Sequence, residues 1–251
     1  MMRILLVGSE GRMGRAVSAA CTDGQTVAAR VDSVPADGVY GDVSLVTEKC
    51  DVIIDFSSHG YTSKVLEYAE KNGIPAVIAT TGHSAEELEM IKEASSKVAV
   101  FKSGNMSVAV NVLCRFAAEA ASMLGDFDIE IIESHHRNKL DAPSGTALMI
   151  ASEIQSVREG AEPVYDRTGR SCRRPDNEIG IHSVRGGTDA GEHEVIFFGQ
   201  GERLSIKHVA EGREIFAKGA LCAASYMIGK PAGFYDMKSL LSDEVTKGAA
   251  K

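Results

Sequence analysis

The sequence predicts an α/β protein that has a doubly wound parallel sheet and a second, smaller α+β part with an open mixed sheet. The first observation is that short apolar runs alternate with helical patterns over the first hundred residues. Strands that are apolar throughout are buried on both faces, as in a parallel sheet covered by helices. The runs are residues 4–7, 27–31, 52–56, 76–80 and 98–101.

The second observation is that apolar residues recur at helical spacing between these runs, which predicts helices on both faces of the sheet. The segments with this spacing are residues 12–21, 61–72 and 85–96. The expected buried faces begin with Val65, Leu66 and Ala69 in the second segment and with Leu88, Ile91 and Lys92 in the third.

The third observation is a change of pattern near Ser107, where an Ala-rich stretch predicts a long helix that ends at Gly125. Strand-like segments separated by Gly-rich turns then favour an antiparallel or mixed open sheet. The expected elements are a helix at 108–124, a strand at 128–134, a helix at 146–159, a charged irregular connection at 163–180, strands at 181–184, 194–198 and 204–209, and a helix at 214–227 that could rejoin the first domain.

Composition excludes several classes of protein. The 251 residues include 27 Lys and Arg against 35 Asp and Glu, a formal net charge of −8, whereas nucleic-acid-binding proteins normally carry a basic field. No segment has the ~18 consecutive apolar residues of a membrane helix, and the run at 4–7 is too short for a signal peptide. We therefore expect no nucleic-acid or membrane partner, a cytoplasmic location, and five cysteines buried as free thiols.

A glycine-rich loop joins the first predicted strand to the first predicted helix, with the spacing Gly8-x-x-Gly11-x-x-Gly14. Backbone N–H groups and a helix dipole can meet a pyrophosphate there, as in a Rossmann-like domain that binds a nicotinamide or a flavin dinucleotide. Asp32 ends the second strand, where an acid would accept the ribose hydroxyls. The alternative is a tight turn with a surface acid. Asp32 disfavours the extra phosphate of NADP, but Arg12 could supply a cation, so NADH and NADPH both stay open.

A second unusual segment covers residues 133–147, between a predicted strand and a predicted helix. It concentrates His135, His136, Arg137 and Lys139 within five positions of an acidic chain. Residues 143–146, Pro-Ser-Gly-Thr, then offer hydroxyls and N–H groups at a helix N-terminus. This pattern predicts an anion pocket with a proton donor beside it. The alternatives are a metal site, for which no third ligand lies at ligand spacing, and a solvated basic loop.

The string ESHHRNKLDAPSGTA at 133–147 closely resembles the E-x-HHxxKxDAPSGTA signature of the dihydrodipicolinate reductase family. The resemblance covers nearly the whole chain in the expected order. It includes VGSEGRMGR at 7–15, IIDFS at 53–57, ATTG at 79–82, SGNMSVAVN at 103–111, the segment 191–208 and GFYDM at 233–237. This chain departs from the family pattern at Ala79, where Gly is frequent, and at Gly104, where Pro is frequent.

The resemblance implies hydride transfer from NADH or NADPH to 4-hydroxy-tetrahydrodipicolinate, a small cyclic dicarboxylate, giving tetrahydrodipicolinate in lysine and diaminopimelate biosynthesis. It implies that His135 is a general acid and that Lys139 is a second proton donor or a carboxylate partner. Further substrate-binding residues would be His136, Ser144, Gly145 and Thr146. Cofactor-binding residues would be Gly8, Ser9, Glu10, Gly11, Arg12, Met13, Asp32, Ala79, Thr80, Thr81, Ser103, Gly104, Asn105 and Met106.

The resemblance also implies a dinucleotide-binding domain of residues 1–106 with 214–251, a substrate-binding and oligomerisation domain of residues 107–213, and a homotetramer. We expect no metal, because no third ligand lies at ligand spacing. Two other functions stay open. One is a dehydrogenase of the same build that acts on an amino or keto dicarboxylate. The other is a non-catalytic regulator that responds to NAD.

Overall fold

The computed structural model describes residues 1–34 and 36–249, and the chain divides into two compact units. The first unit comprises Met1–Val108 with the described part of Arg213–Lys251, and the second comprises Ala109–Gly212. The last two residues of the expected 214–251 segment lie outside the described residues.

The first unit is built on a six-stranded, all-parallel sheet with the order β11-β5-β4-β3-β1-β2. Its strands are β1 (Met2–Val7), β2 (Gln25–Val31), β3 (Val52–Asp55), β4 (Ala76–Ile78), β5 (Ala99–Lys102) and β11 (Gly233–Tyr235). Its helices are α1 (Arg12–Ala20), α2 (Thr62–Asn72), α3 (Ala85–Ser95), α6 (Glu214–Met227) and α7 (Met237–Ala249). The five predicted apolar runs correspond to β1 to β5, five of the six strands, and the prediction of a parallel sheet is confirmed.

Both faces of this sheet are buried, because alternate residues of each strand enter different cores. Ile4 and Leu6 of β1 pack in the core that contains residues of α1 and α6. Leu5 and Val7 pack in the core that contains residues of α2 and α3. This is the doubly wound arrangement that the sequence predicts.

Some details of the first unit differ from the prediction. Val65, Leu66 and Ala69 are buried as predicted, and so is Ile91 of α3. Leu88 is 42% exposed and Lys92 is exposed as well, because α3 buries the face of Ile91, Ala94 and Ser95. The sequence also did not predict β11 and α7. The strand β11 has three residues at the edge of the sheet, too few for a recognisable apolar run.

The second unit contains a five-stranded mixed sheet with the order β10-β9-β6-β8-β7. β10–β9 and β9–β6 are antiparallel, whereas β6–β8 and β8–β7 are parallel, so the predicted mixed sheet is confirmed. The elements are α4 (Val108–Met123), β6 (Asp128–His135), α5 (Gly145–Gln155), β7 (Glu162–Val164), β8 (Glu178–Arg185), β9 (Gly191–Phe198) and β10 (Arg203–Ala210). One sheet face packs with α4 and α5 in a third core.

Two predictions for the second unit are wrong in part. The segment 163–180 is not wholly irregular, because it contains most of β7 and the start of β8. β7 is a short edge strand with a proline at its centre, which hides it from a search for apolar alternation. The helix α5 ends at Gln155, four residues before the predicted end.

The expectation that all five cysteines are buried is also wrong. Cys50 and Cys114 are buried, but Cys172 lies exposed in an Arg-rich loop and Cys222 lies on an exposed part of α6. Within the described part of the chain, none of the helices combines the length and the hydropathy that crossing a membrane requires.

Candidate active site

The glycine loop of the first unit is shaped by close contacts that exclude side chains. Gly8 has φ +78°, and an added Cβ would lie 2.6 Å from the carbonyl oxygen of Phe56. An added Cβ on Gly14 would overlap the carbonyl oxygen of Gly8. Gly8 therefore requires glycine by its backbone angle and by space, whereas Gly14 requires it by space alone.

The N-terminus of α1 is left open to a ligand. Gly11 is its N-cap, and the helix has neither a side-chain cap nor an acidic residue in its first turn, which contains Arg12 and Met13. The neighbouring α3, in contrast, has a complete capping box formed by Ser84 and Glu87. The first N–H groups of α1 thus fit an anion such as a pyrophosphate.

A pocket of about 340 Å³ lies at the carboxyl ends of β1, β2 and β3, where the order of the strands reverses. Ligands of open α/β sheets bind at such a switch point. Asp32 lines the pocket and accepts hydrogen bonds from the N–H groups of Glu10 and Val34, both at 2.9 Å. Predicted residues that line it are Gly8, Glu10, Gly11 and Asp32, whereas Ser9, Arg12 and Met13 do not.

Glu10 adds a second carboxylate beside Asp32. Its oxygens lie 3.6 Å from a guanidinium nitrogen of Arg30 and 3.8 Å from one of Arg15. The cradle without side chains, the open helix end and the acid at the end of β2 together fit the adenosine and pyrophosphate half of a dinucleotide.

Two further loops of the first unit contain the other predicted cofactor residues. Ala79, Thr80 and Thr81 follow β4, and residues 103–106 lie between β5 and α4. Lys102 joins these loops, because its Nζ donates hydrogen bonds to the carbonyl oxygens of Thr80 (2.9 Å) and Ser103 (3.3 Å). None of these predicted residues lines the 340 Å³ pocket.

The predicted chemical residues gather around the end of β6 and the start of α5 in the second unit. His135 ends β6, and His136 and Lys139 lie in the loop that follows. Ser144 is the N-cap of α5, and its hydroxyl accepts a hydrogen bond from the N–H of Ala147. Gly145 and Thr146 form the first turn of α5.

A buried carboxylate organises this group. Glu133 of β6 is fully buried and accepts two hydrogen bonds from Arg185, at 2.7 and 2.8 Å, and one from the N–H of Ser144. Its Oε2 lies 2.6 Å from Nδ1 of His135. Burial alone would raise the pKa of Glu133, but the hydrogen bonds from Arg185, Ser183, His135 and Ser144 lower it to about 2. Glu133 is therefore ionised throughout the neutral range.

The ionised Glu133 fixes the tautomer of His135. Nδ1 carries the proton that Glu133 accepts, so the lone pair of the neutral ring lies on Nε2. An added Cβ on Gly191 would lie 2.8 Å from this Nε2, so glycine there leaves room for the ring. Burial lowers the pKa of His135, and Glu133 opposes that shift. The ring is consequently neutral near pH 7.

His193 supports the ring of His135 from β9. The two rings meet edge to face with centroids 5.1 Å apart, and Nε2 of His193 lies 2.9 Å from the hydroxyl of Ser144. Burial lowers the pKa of His193 to about 4. Since both histidines are neutral and Arg185 is bound to Glu133, the cations that the loop offers to a ligand are Lys139 and the more exposed Arg137. The Nζ of Lys139 lies 2.9 Å from the exposed Asp141.

Sequence reasoning missed three residues of this network: Glu133, Arg185 and His193. Glu133 was detectable, because it lies two residues before His135 and therefore on the same face of the strand. Arg185 and His193 come from β8 and β9, so no local spacing identifies them. Among the described residues, no group of three His, Cys, Asp or Glu side chains has the arrangement of a metal site.

The fold and these two groups of residues define an oxidoreductase that uses a nicotinamide cofactor. Models of "Dihydrodipicolinate reductase, N-terminus" and "Dihydrodipicolinate reductase, C-terminus" match residues 2–106 and 109–241. The chain therefore belongs to the dihydrodipicolinate reductase family, and the resemblance seen in the sequence is confirmed.

Relatives and solved structures agree with this membership. The 4-hydroxy-tetrahydrodipicolinate reductase of Caldanaerobacter subterraneus subsp. tengcongensis is 48% identical over 247 residues, which cover 96% of this chain and 98% of that protein. The reductase of the same name from Clostridium tetani is 43% identical, with the same coverage. A dipicolinate-bound dihydrodipicolinate reductase from Paenisporosarcina sp. TG-14 shares the fold, with a TM-score of 0.78, 24% identity, and 94% and 97% of the two chains covered.

Proposed function

We propose that this protein reduces 4-hydroxy-tetrahydrodipicolinate to tetrahydrodipicolinate in lysine and diaminopimelate biosynthesis, with NADH as the preferred cofactor. The observation that carries the proposal is the group of His135 and Lys139 before the start of α5. Nδ1 of His135 is hydrogen-bonded to the ionised Glu133, and Nζ of Lys139 lies beside Asp141. Family membership and the names of the relatives support the same reaction.

The first unit binds the cofactor in this proposal. The glycine loop and the first turn of α1 hold the pyrophosphate, and Asp32 accepts the ribose hydroxyls. The residues of the two further loops, Ala79, Thr80, Thr81, Ser103, Gly104, Asn105 and Met106, contact the nicotinamide end. When bound, the nicotinamide supplies the hydride that reduces the substrate ring.

NADH is favoured over NADPH by charge. A 2′-phosphate beside Asp32 would also lie near the carboxylate of Glu10, and two negative charges repel a third. Ser33, which lines the same pocket, brings no cation. Arg30 and Arg15 both already pair with Glu10, and Arg12 does not line this pocket.

The second unit binds the substrate. Lys139 and the first turn of α5, with Gly145 and Thr146, hold the two carboxylates, because a cation and a helix N-terminus both favour anions. His136 contacts the ring or a carboxylate, and Ser144 acts mainly by capping α5. An acidic chain can thus bind a dianion through a local reversal of charge.

Proton donation falls to Lys139 in this geometry. The Nζ of Lys139 lies 2.9 Å from Oδ1 of Asp141, whose pKa is lowered by its hydrogen bond to that lysine, and a lysine ammonium has three N–H donors. His135 has its proton on Nδ1, held by Glu133, and presents an unprotonated Nε2. We therefore assign the transferred proton to Nζ of Lys139, and to His135 the role of accepting a hydrogen bond at Nε2. This reverses the order of the two donors that the resemblance implies.

We also propose that the protein is a cytoplasmic homotetramer assembled through the sheet of the second unit. An exposed sheet face and an unpaired edge are commonly covered by assembly. β10 is an edge strand, and the exposed apolar side chains of this sheet are Val184, Phe198, Leu204 and Val209. Sedimentation velocity tests the assembly, and a monomer at micromolar concentration would contradict it.

The decisive experiment is oxidation of NADH and of NADPH in the presence of freshly generated 4-hydroxy-tetrahydrodipicolinate. We expect turnover with both cofactors and a higher kcat/KM with NADH. Reduction of NAD by aspartate or diaminopimelate is the control for a dehydrogenase that acts on an amino dicarboxylate. Turnover in that control alone would contradict the proposed reaction. Tight NADH binding without turnover of any substrate would favour the regulator instead.

A further inference from the structure

Lys102 is a half-buried lysine that the proposed reaction does not use. It is the last residue of β5, and its Nζ donates hydrogen bonds to two backbone carbonyls, those of Thr80 and Ser103. Burial lowers the pKa of Lys102, and the nearby Asp55 opposes that shift. A lysine is rarely enclosed unless its charge is compensated.

The compensation comes from the carboxyl ends of three adjacent strands. Asp55 ends β3 and is fully buried. It accepts hydrogen bonds from the N–H and hydroxyl of Ser57 and from the hydroxyl of Thr80. Thr80 therefore links the two charged groups at the ends of β3, β4 and β5: its hydroxyl donates to Asp55, and its carbonyl oxygen accepts from Lys102.

The sheet itself does not need this cluster. β4 and β5 are already paired in register from Ala76–Val100 to Ile78–Lys102. The ammonium of Lys102 donates instead to Thr80, which follows the end of β4, and to Ser103, which follows the end of β5. It consequently fixes the two loops rather than the two strands.

Fixing a carbonyl also fixes the N–H of the same peptide group. A trans peptide is planar, and its N–H points opposite to its C=O. When Lys102 holds the oxygens of Thr80 and Ser103, the N–H groups of Thr81 and Gly104 are turned away from the ammonium. Neither N–H donates to an acceptor among the residues that the structure describes. A carboxamide oxygen is an acceptor that would suit them.

We propose that Lys102 is a positioning residue, a clamp that holds the loops 79–81 and 103–106 in the geometry that receives the nicotinamide carboxamide. The inference rests on the proposed cofactor function and adds to it a residue outside both loop motifs. Lys102 acts through the backbone and does not itself touch the cofactor.

The test compares two ligands that differ only in the nicotinamide end. Lys102→Met keeps the length of the side chain and removes its donors. We expect its affinity for NADH, measured by calorimetry without substrate, to fall about 10-fold, as for loss of a charged hydrogen bond. Its affinity for ADP-ribose, which lacks nicotinamide, should stay within about twofold. Lys97→Met, which removes an exposed lysine paired with Glu70, should change neither.

Each outcome decides the inference. An equal loss of NADH and ADP-ribose affinity would make Lys102 a general support of the unit and overturn the clamp. Unchanged NADH affinity in Lys102→Met would overturn the clamp alone. Wild-type protein that binds NADH no tighter than ADP-ribose would overturn the clamp and the proposed cofactor function together. If Lys102→Met does not fold, Lys102→Gln provides the same comparison of NADH with ADP-ribose. Glutamine keeps two N–H donors without the charge, so the expected loss of NADH affinity is smaller.

Discussion

In the proposed function, the two units bind their ligands by different physical means. The glycine loop of the first unit offers backbone N–H groups, and its shape depends on missing side chains at Gly8 and Gly14. The loop of the second unit offers the side chains of His135 and Lys139, whose states depend on the buried Glu133. A backbone site is thus vulnerable to an added methyl group, whereas a side-chain site is vulnerable to a lost charge.

The N-termini of three helices show the same difference. α1 has no side-chain cap, α3 has a complete capping box, and α5 is capped by Ser144. An uncapped helix end leaves orphan N–H groups, which is costly unless a ligand or water satisfies them. In α5 the Ser144 hydroxyl already satisfies one of these N–H groups, that of Ala147. A ligand of the second unit would therefore be held by side chains as well as by the remaining N–H groups of the helix.

The largest effect is expected from Lys139→Ala. It removes the assigned proton donor and a carboxylate partner, so kcat should fall by about 10²–10⁴ and KM for the substrate should rise. NADH affinity should not change, because the cofactor is assigned to the first unit. Steady-state kinetics with a calorimetric NADH titration measure all three.

The control for this prediction is Arg137→Ala, which removes an exposed cation from the same loop. It should lower kcat less than threefold, on the order of a surface charge effect. A rise in KM without a fall in kcat for Lys139→Ala would assign proton donation to His135 instead.

A matched pair of glycine substitutions tests the backbone site. In Gly14→Ala the new methyl group would overlap the carbonyl oxygen of Gly8, so the loop must move and NADH affinity should fall about 100-fold. In Gly145→Ala the new methyl group meets no atom within 4 Å, so thermal stability should be unchanged or slightly higher. NADH affinity at the wild-type level in Gly14→Ala would show that the loop does not cradle the pyrophosphate.

The buried charge of the second unit should control stability in acid. The pKa of Glu133 lies at about 2, below its ordinary 4.5, so ionised Glu133 stabilises the fold above pH 4.5. That contribution is lost as the pH falls from 4.5 toward 2, and it is on the order of 3 kcal/mol. Glu133→Gln should therefore be less stable at pH 7 and lose less stability over this range.

Urea unfolding at several pH values measures this contribution. The comparison variant is Glu119→Gln, an exposed acid paired with Arg115, which should follow the wild-type pH dependence. Parallel curves for the wild type and Glu133→Gln between pH 4.5 and 2 would contradict the assigned role of Glu133.

Burial explains which parts of the fold could be predicted from the sequence. The strands β1, β3, β4 and β5 were recognisable because burial on both faces makes them apolar throughout, and the edge strand β2 because its seven residues include an apolar run. The edge strands β7 and β11 were not, since three residues in a half-exposed position need no apolar pattern. Leu88 shows the opposite error, because an apolar residue at helical spacing can lie exposed.

The candidate site was predictable to the extent that it is local in sequence. The glycine spacing and the HHRNK and PSGT strings each fall within a few residues, so their chemistry is visible before folding. The network that sets the state of His135 is not local, because Arg185 and His193 come from other strands of the sheet. The assignment of the proton to Lys139 rather than His135 depended on that network.

The smallest effect is expected from Asp32→Asn, which tests whether side-chain charge also matters in the backbone site. The substitution keeps the size of the residue and one carbonyl acceptor for the loop N–H groups, but removes the charge beside the ribose. The ratio of kcat/KM for NADPH to that for NADH should rise about 10-fold, because one of two repelling carboxylates is gone. The control is Asp37→Ala, which removes an equal charge from an exposed position in the loop after β2. It measures the effect of long-range repulsion without the loss of a contact to the ribose. A ratio that changes equally in both variants would mean that Asp32 acts only through net charge and does not contact the ribose.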